Sequence, residues 1–216
     1  MRQAELPRSV LKRLPCCNVL SMAMLGVSLF PASPAWAEQK QPSNQRWETG
    51  AYSFSAELGG FSIQSVSGIG TKDDPIVIVE ELDSASPVTM TIRTIKPIRP
   101  FDYSGLYANG TIYLRLEVTN NSKLPWIEFE LELQEHLDRP SNFGDGLSFD
   151  QRRTDGVNIS SPTFLEYSKD FEPYDRLLFR KGTVDDRQVA SFRFLITDYT
   201  PRWELFLVQD PRIPSS

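Results

Sequence analysis

The stretch Ile112-Tyr113-Leu114-Arg115-Leu116-Glu117-Val118, the polar run Asn120-Asn121-Ser122-Lys123, and Ile127-Glu128-Phe129-Glu130-Leu131-Glu132-Leu133 carry the plainest pattern in the chain. Apolar and polar residues alternate strictly on both sides of a turn, the period of a β-strand with one buried and one wet face. Taken as neighbours, the two runs predict a hairpin on the outside of a sheet. Tyr113, Arg115, Glu117 and the glutamates Glu128, Glu130 and Glu132 then form its wet face, where the acids also discourage edge-to-edge pairing.

The same period extends outward. Upstream, Tyr52 and Phe54 alternate with serines as far as Gly59-Gly60, and Phe61, Ile63 and Val66 precede a glycine-punctuated loop over residues 67–74. Ile76-Val77-Ile78-Val79 reads as a strand buried on both faces. Val88, Met90 and Ile92 alternate with threonines and Arg93, and Pro97, Pro100, Gly105 and Asn109-Gly110 mark a connector. Downstream, strands are expected at 163–167, 177–180, 189–196 and 203–208. No segment keeps helical spacing beyond a turn or two. About ten short strands with Pro, Gly and Asn punctuation predict an all-β protein, an antiparallel β-sandwich of Ig-like or jelly-roll-like type. Little helix is expected apart from the N-terminal segment. Residues 47–216 are read as this sandwich, with a subdomain over 47–96 packed on a main sandwich over 108–210 as the alternative.

Residues 1–37 read as a secretory signal. Arg2, Arg8, Lys12 and Arg13 supply a basic start, the apolar run Val19 to Phe30 follows, and Pro31 and Pro34 break it. Ala35-Trp36-Ala37 offers small residues at −3 and −1, which places cleavage after Ala37. The apolar run is too short for a membrane span, which takes about 18–20 residues. Residues 38–46 then form a flexible leader, and the expected address is the periplasm or the exterior of a bacterial cell. Of 216 residues, cleavage leaves 179, with 19 basic and 27 acidic side chains and a formal charge of −8. That charge disfavours nucleic acid and anionic membrane surfaces as partners. Both cysteines, Cys16 and Cys17, leave with the signal, so the remaining chain holds no disulfide, no thiol nucleophile and no cysteine-containing metal site.

Two segments carry a resemblance. Val118-Thr119-Asn120-Asn121-Ser122 followed by Trp126-Ile127-Glu128-Phe129-Glu130-Leu131, and then Gly144-Asp145-Gly146-Leu147-Ser148-Phe149-Asp150, resembles an uncharacterised β-sandwich module of exported bacterial proteins. The stretch Gly70-Thr71-Lys72-Asp73-Asp74-Pro75-Ile76-Val77-Ile78-Val79-Glu80-Glu81 is similar to segments of hypothetical secreted proteins of proteobacteria. The resemblance implies a fold and a compartment, and assigns no catalytic residue.

The chemistry is read from what remains. His136, the one histidine, follows the glutamate-rich strand and reads as a solvated loop residue, since no serine sits in a nucleophile elbow. One histidine without cysteine cannot build the usual zinc sets. Asp145, Asp150 and Asp155 lie in a Gly- and Asp-rich stretch that could wrap oxygen ligands around calcium, although the spacing matches no calcium loop and Asp and Gly also make ordinary turns. Asp145, Asp150 and Glu135 are the carboxylates that a hydrolase would use. Trp126 and Trp203 open strands and are read as packing at the core or its rim. Phe101, Tyr103 and Tyr107 lie in the proline/glycine connector, where exposed together they would make a binding patch. The expected function is a non-enzymatic exported module that contacts an envelope protein or a glycan. A carboxylate-dependent hydrolase and a calcium-stabilised structural domain are the alternatives.

Overall fold

Among the described residues the chain forms twelve strands and no helix. The computed structural model describes residues 45–142, 144–151, 157–169 and 173–214. The expected signal segment 1–37, the leader up to residue 44, and Asp155 lie outside them. The strands are β1 (Arg46–Thr49), β2 (Tyr52–Ser55), β3 (Phe61–Ser67), β4 (Ile76–Leu82), β5 (Val88–Thr94), β6 (Thr111–Asn120), β7 (Glu128–Gln134), β8 (Leu147–Phe149), β9 (Glu166–Ser168), β10 (Arg176–Arg180), β11 (Val189–Asp198) and β12 (Glu204–Arg212). They form a seven-stranded sheet, ordered β1-β2-β5-β12-β7-β10-β9, and a five-stranded sheet, ordered β3-β4-β6-β11-β8. The protein is a β-sandwich. One pairing, β4 with β6, is parallel, and the others are antiparallel. Strands from the first half of the chain enter both sheets.

Each sheet turns one apolar face inward, as the period-two pattern dictates. Phe54, Met90, Ile92, Leu131, Leu133 and Leu207 line one side of the core, and Ile78, Leu114, Leu116, Phe192 and Phe194 the other. Phe192 sits at its centre, with ring centroids 4.5 Å from Phe129 and 4.9 Å from Phe179. Such contacts add about 0.5–1.5 kcal/mol each beyond the area they bury.

The two deciding strands do not form a hairpin. β6 lies in the five-stranded sheet beside β4 and β11, while β7 lies in the other sheet between β12 and β10. Their apolar faces meet across the core, which buries both, whereas side by side they would have needed a third layer. The link is an arch held by buried Asn120. Its amide donates to the carbonyls of Leu124 (2.8 Å) and Val184 (2.9 Å), and its oxygen accepts from the N–H and hydroxyl of Ser122. Trp126 then drops into the core beside Phe129 at 5.6 Å.

Two further expectations change. Val77 and Val79 are half-buried on the outer face, and only Ile76 and Ile78 of that run reach the core. The supposed wet face of β7 is largely covered. Glu130 and Glu132 are 7% and 8% exposed because Arg176 and Arg212, from the neighbouring strands, lie over them. A residue can face outward and still lose its water when long arginine stems cross the sheet.

Candidate functional site

The outer face of the five-stranded sheet carries the site. Loop 69–74 rises above it on a single acceptor. The Asp74 carbonyl takes the N–H groups of Ile69 (3.2 Å), Gly70 (3.0 Å) and Thr71 (3.1 Å), and the Thr71 hydroxyl accepts from the Asp74 N–H. The Tyr113 N–H donates to the Gly70 carbonyl at 3.1 Å, which ties the loop to β6 and holds Lys72 beside the sheet. On the other side the connector folds back on itself, with Ala108 N–H on Pro97 O and Arg99 N–H on Ala108 O. Asp102 accepts the Ser104 N–H at 2.9 Å and so shapes the turn that carries Tyr103. Gly110, at φ +76°, lets the chain re-enter β6, because a Cβ there would stand 2.1 Å from the Asp198 carbonyl.

Between loop and connector lies a hollow of about 340 Å³, lined by Lys72, Tyr103, Asn109, Tyr113, Asp150 and Asn158, with Leu195 and Thr197 as floor. A second hollow of about 470 Å³ adjoins it and shares Lys72, Tyr113 and Asn158; Val77, Arg115, Ser160 and Arg193 continue the lining. Together they make a trough across β4, β6 and β11. Asp150 is buried at the end of β8, at φ +44°. Its Oδ2 accepts from Asn158 Nδ2 at 2.9 Å, and its Oδ1 has no hydrogen-bond partner among the described residues. A buried carboxylate oxygen without a donor is costly, of order 1–3 kcal/mol, unless something supplies one.

The three connector aromatics separate. Tyr103, 62% exposed, lines the trough. Phe101 instead packs its ring 5.7 Å from Tyr199, and Tyr107 lies under the Arg99 guanidinium at 4.9 Å. Phe101 also stands at φ +63°, a conformation a bulky side chain rarely takes. Trp126 is core, whereas Trp203 is 65% exposed.

The carboxylates also separate. Asp145 belongs to its own turn and accepts from Ser141 Oγ and from the N–H groups of Asn142 and Leu147. It lines a different hollow, beside Tyr199 and Thr200. Glu135 is paired with Arg202, and the largely exposed His136 lies 3.7 Å from its other oxygen. Among the described residues no three His, Cys, Asp or Glu side chains converge as a metal would need. Two carboxyls near this end are perturbed. Burial pushes Asp198 up to about 6, aided by Glu135 and Asp145, and burial pushes Asp175 up to about 6, aided by Asp145. The space beside Asp198 and Tyr52 is only about 10 Å³, barely enough for one water. A shifted carboxyl with no room for a substrate is part of the packing.

Lys72, Tyr113, Asn158 and Arg193 are thus the lining residues that the strand pattern does not announce. Tyr113 is legible in the sequence only as an outward position, and nothing there says that loop 69–74 stands over it. No family model, curated protein or solved structure matches the chain.

Proposed function

We propose that the protein is an exported, non-enzymatic binding module of the bacterial envelope that holds a glycan in the trough on its five-stranded sheet. The observation that carries this reading is the lining of the first hollow. Two tyrosines stand with a carboxylate, two side-chain amides and threonine hydroxyls on a hydrogen-bonded sheet. Tyrosine rings offer flat apolar faces for a pyranose, and side-chain amides and hydroxyls pair with its hydroxyls. Residues placed on strands also hold their positions without a ligand, which lowers the ordering cost of binding.

Glycan arrays probed with the purified chain test the proposal, with Tyr103→Ala and Tyr113→Ala as controls that keep the melting temperature within a few degrees. Binding should appear in the parent and fall at least tenfold in each variant. A parent that binds no glycan, or variants that bind as the parent does, would remove the trough from consideration. Sequencing the N-terminus of the protein recovered from the periplasm tests the address, with Glu38 as the expected first residue.

A further inference from the structure

We infer that the ligand of the trough is an acidic polysaccharide, a uronic-acid polymer, whose carboxylates sit on Arg193 and Lys72. This rests on the glycan reading above and names its substrate class. The sheet register supplies the first observation. Arg193 on β11 stands directly opposite Arg115 on β6, and the row continues to Val77 on β4 and to Ser160 on the other side. Directly opposed side chains in an antiparallel pair have Cβ atoms about 5 Å apart, and like charges there repel. The row itself holds no acid among the described residues, and Glu117, two residues along β6, offsets Arg115 alone.

Partnering supplies the second. Arg115 is paired along its own strand with Glu117, and the Glu117 carboxylate also accepts from Ser191 Oγ at 3.0 Å. That acid is committed. Arg193 is exposed, and no carboxylate among the described residues lies within ion-pair distance of it or of Lys72. Among the described residues two acids line the trough. Asp150 is buried and held by Asn158, and Asp74 turns its Oδ1 back toward Gly68. Neither occupies the arginine row. On a chain with more acids than bases, Arg193 and Lys72, which have no acid partner among the described residues, run against the molecule's overall charge and attract anions from solution.

The third observation is the neighbouring row. Two residues along β6, Tyr113 faces Leu195, so a ring and an apolar floor lie about 7 Å from the arginine row. An apolar row beside a cationic row fits a ligand whose repeating unit has a flat face and a carboxylate. A neutral sugar leaves Arg193 and Lys72 unused, and an acidic peptide leaves the tyrosine unused. Arginine binds carboxylate through a planar fork that suits this recognition.

The test is calorimetric titration of the full purified chain with oligogalacturonate, oligomannuronate and oligoguluronate, each beside its methyl-esterified neutral form. At least one acidic oligomer should bind, its ester at least tenfold more weakly, and binding should weaken as salt rises. Arg193→Gln and Lys72→Gln should each lower affinity about tenfold. Arg193→Gln should melt no lower than the parent, because it relieves the opposed pair, and Lys72→Gln alters only an exposed loop. Esters that bind as well as the acids would overturn the charge assignment and leave the glycan reading standing. Failure of acids and esters alike, with no hit on a neutral glycan array, would overturn both. Tight binding of polyglutamate with affinity indifferent to Tyr113→Ala would make the partner an acidic peptide and refute the polysaccharide.

Discussion

Glu80→Gln should make the protein's stability indifferent to a pH window in which the parent weakens steadily. Glu80 lies on β4 between Ile78 and Leu82 and points into the core, with 0% of its surface exposed. Among the described residues neither carboxyl oxygen has a partner in ordinary hydrogen-bond geometry, and Gln209 from β12 offsets the burial only in part. Burial pushes the carboxyl up to about 8 from an ordinary 4.5. Between those values the unfolded chain has released the proton and the folded chain keeps it. The folded state therefore binds more protons, and stability falls as pH rises. At about 1.36 kcal/mol per pH unit the loss across the window approaches roughly 5 kcal/mol, comparable with the whole stability of a modest domain. Glutamine keeps the shape and cannot ionise. Guanidinium unfolding between pH 5 and pH 9, followed by tryptophan fluorescence with buried Trp126 as reporter, measures both proteins. The variant should match the parent within about 1–2 kcal/mol at pH 5 and exceed it by several at pH 8.5. Other titrating groups are common to both and cancel in the difference. Parallel profiles would refute the reasoning, because they would mean that the folded protein lets water reach Glu80.

Asn120→Ala should cost about 2–3 kcal/mol in denaturant unfolding, since it strands buried carbonyls of the arch between the sheets. A loss below half that would mean that water replaces the amide. Arg93 grips Glu57 with both of its terminal nitrogens, at 2.9 and 2.5 Å, and holds that carboxyl below the usual range. Glu57→Gln should therefore cost about 1–2 kcal/mol at neutral pH, with the difference vanishing as acid protonates the parent. Asp198 carries the opposite sign. Its raised value means that the parent loses stability between about pH 4 and pH 6, and Asp198→Asn should flatten that part of the profile.

The alternating strands were legible because burial on one face writes a period of two directly into the residues. Phe54, Met90, Leu114 and Leu131 all point where the pattern puts them. Pairing was less legible. Alternation states which side of a strand is apolar, and it does not state whether the partner lies beside the strand or across the core, so β6 and β7 read as a hairpin. The three-residue strand β8 was missed in a stretch rich in Gly and Asp, which local chemistry marks as turn. The trough suffered most. Its lining comes from the loop over 69–74, from the connector, from β6, from β11 and from the end of β8, segments that only tertiary packing brings together. Tyr103 stands out in the sequence for its place in the proline/glycine connector and Asp150 for its Gly- and Asp-rich stretch, yet the opposition of Arg115 and Arg193 exists only in the register between strands 78 residues apart.

The last strand, β12, sits in the middle of the seven-stranded sheet, between β5 and β7. Until residues 204–212 are available, β1, β2 and β5 have no partner on one side and β7, β10 and β9 none on the other. A partly synthesised or partly threaded chain is therefore two loose half-sheets, and closure demands contacts between residues more than a hundred positions apart. Such long-range pairing is slow. On the proposed export route that slowness is useful, because a polypeptide crossing a narrow channel has to remain a thread until its tail is through. The placement of one strand makes completion of the seven-stranded sheet an all-or-nothing event that waits for residues 204–212.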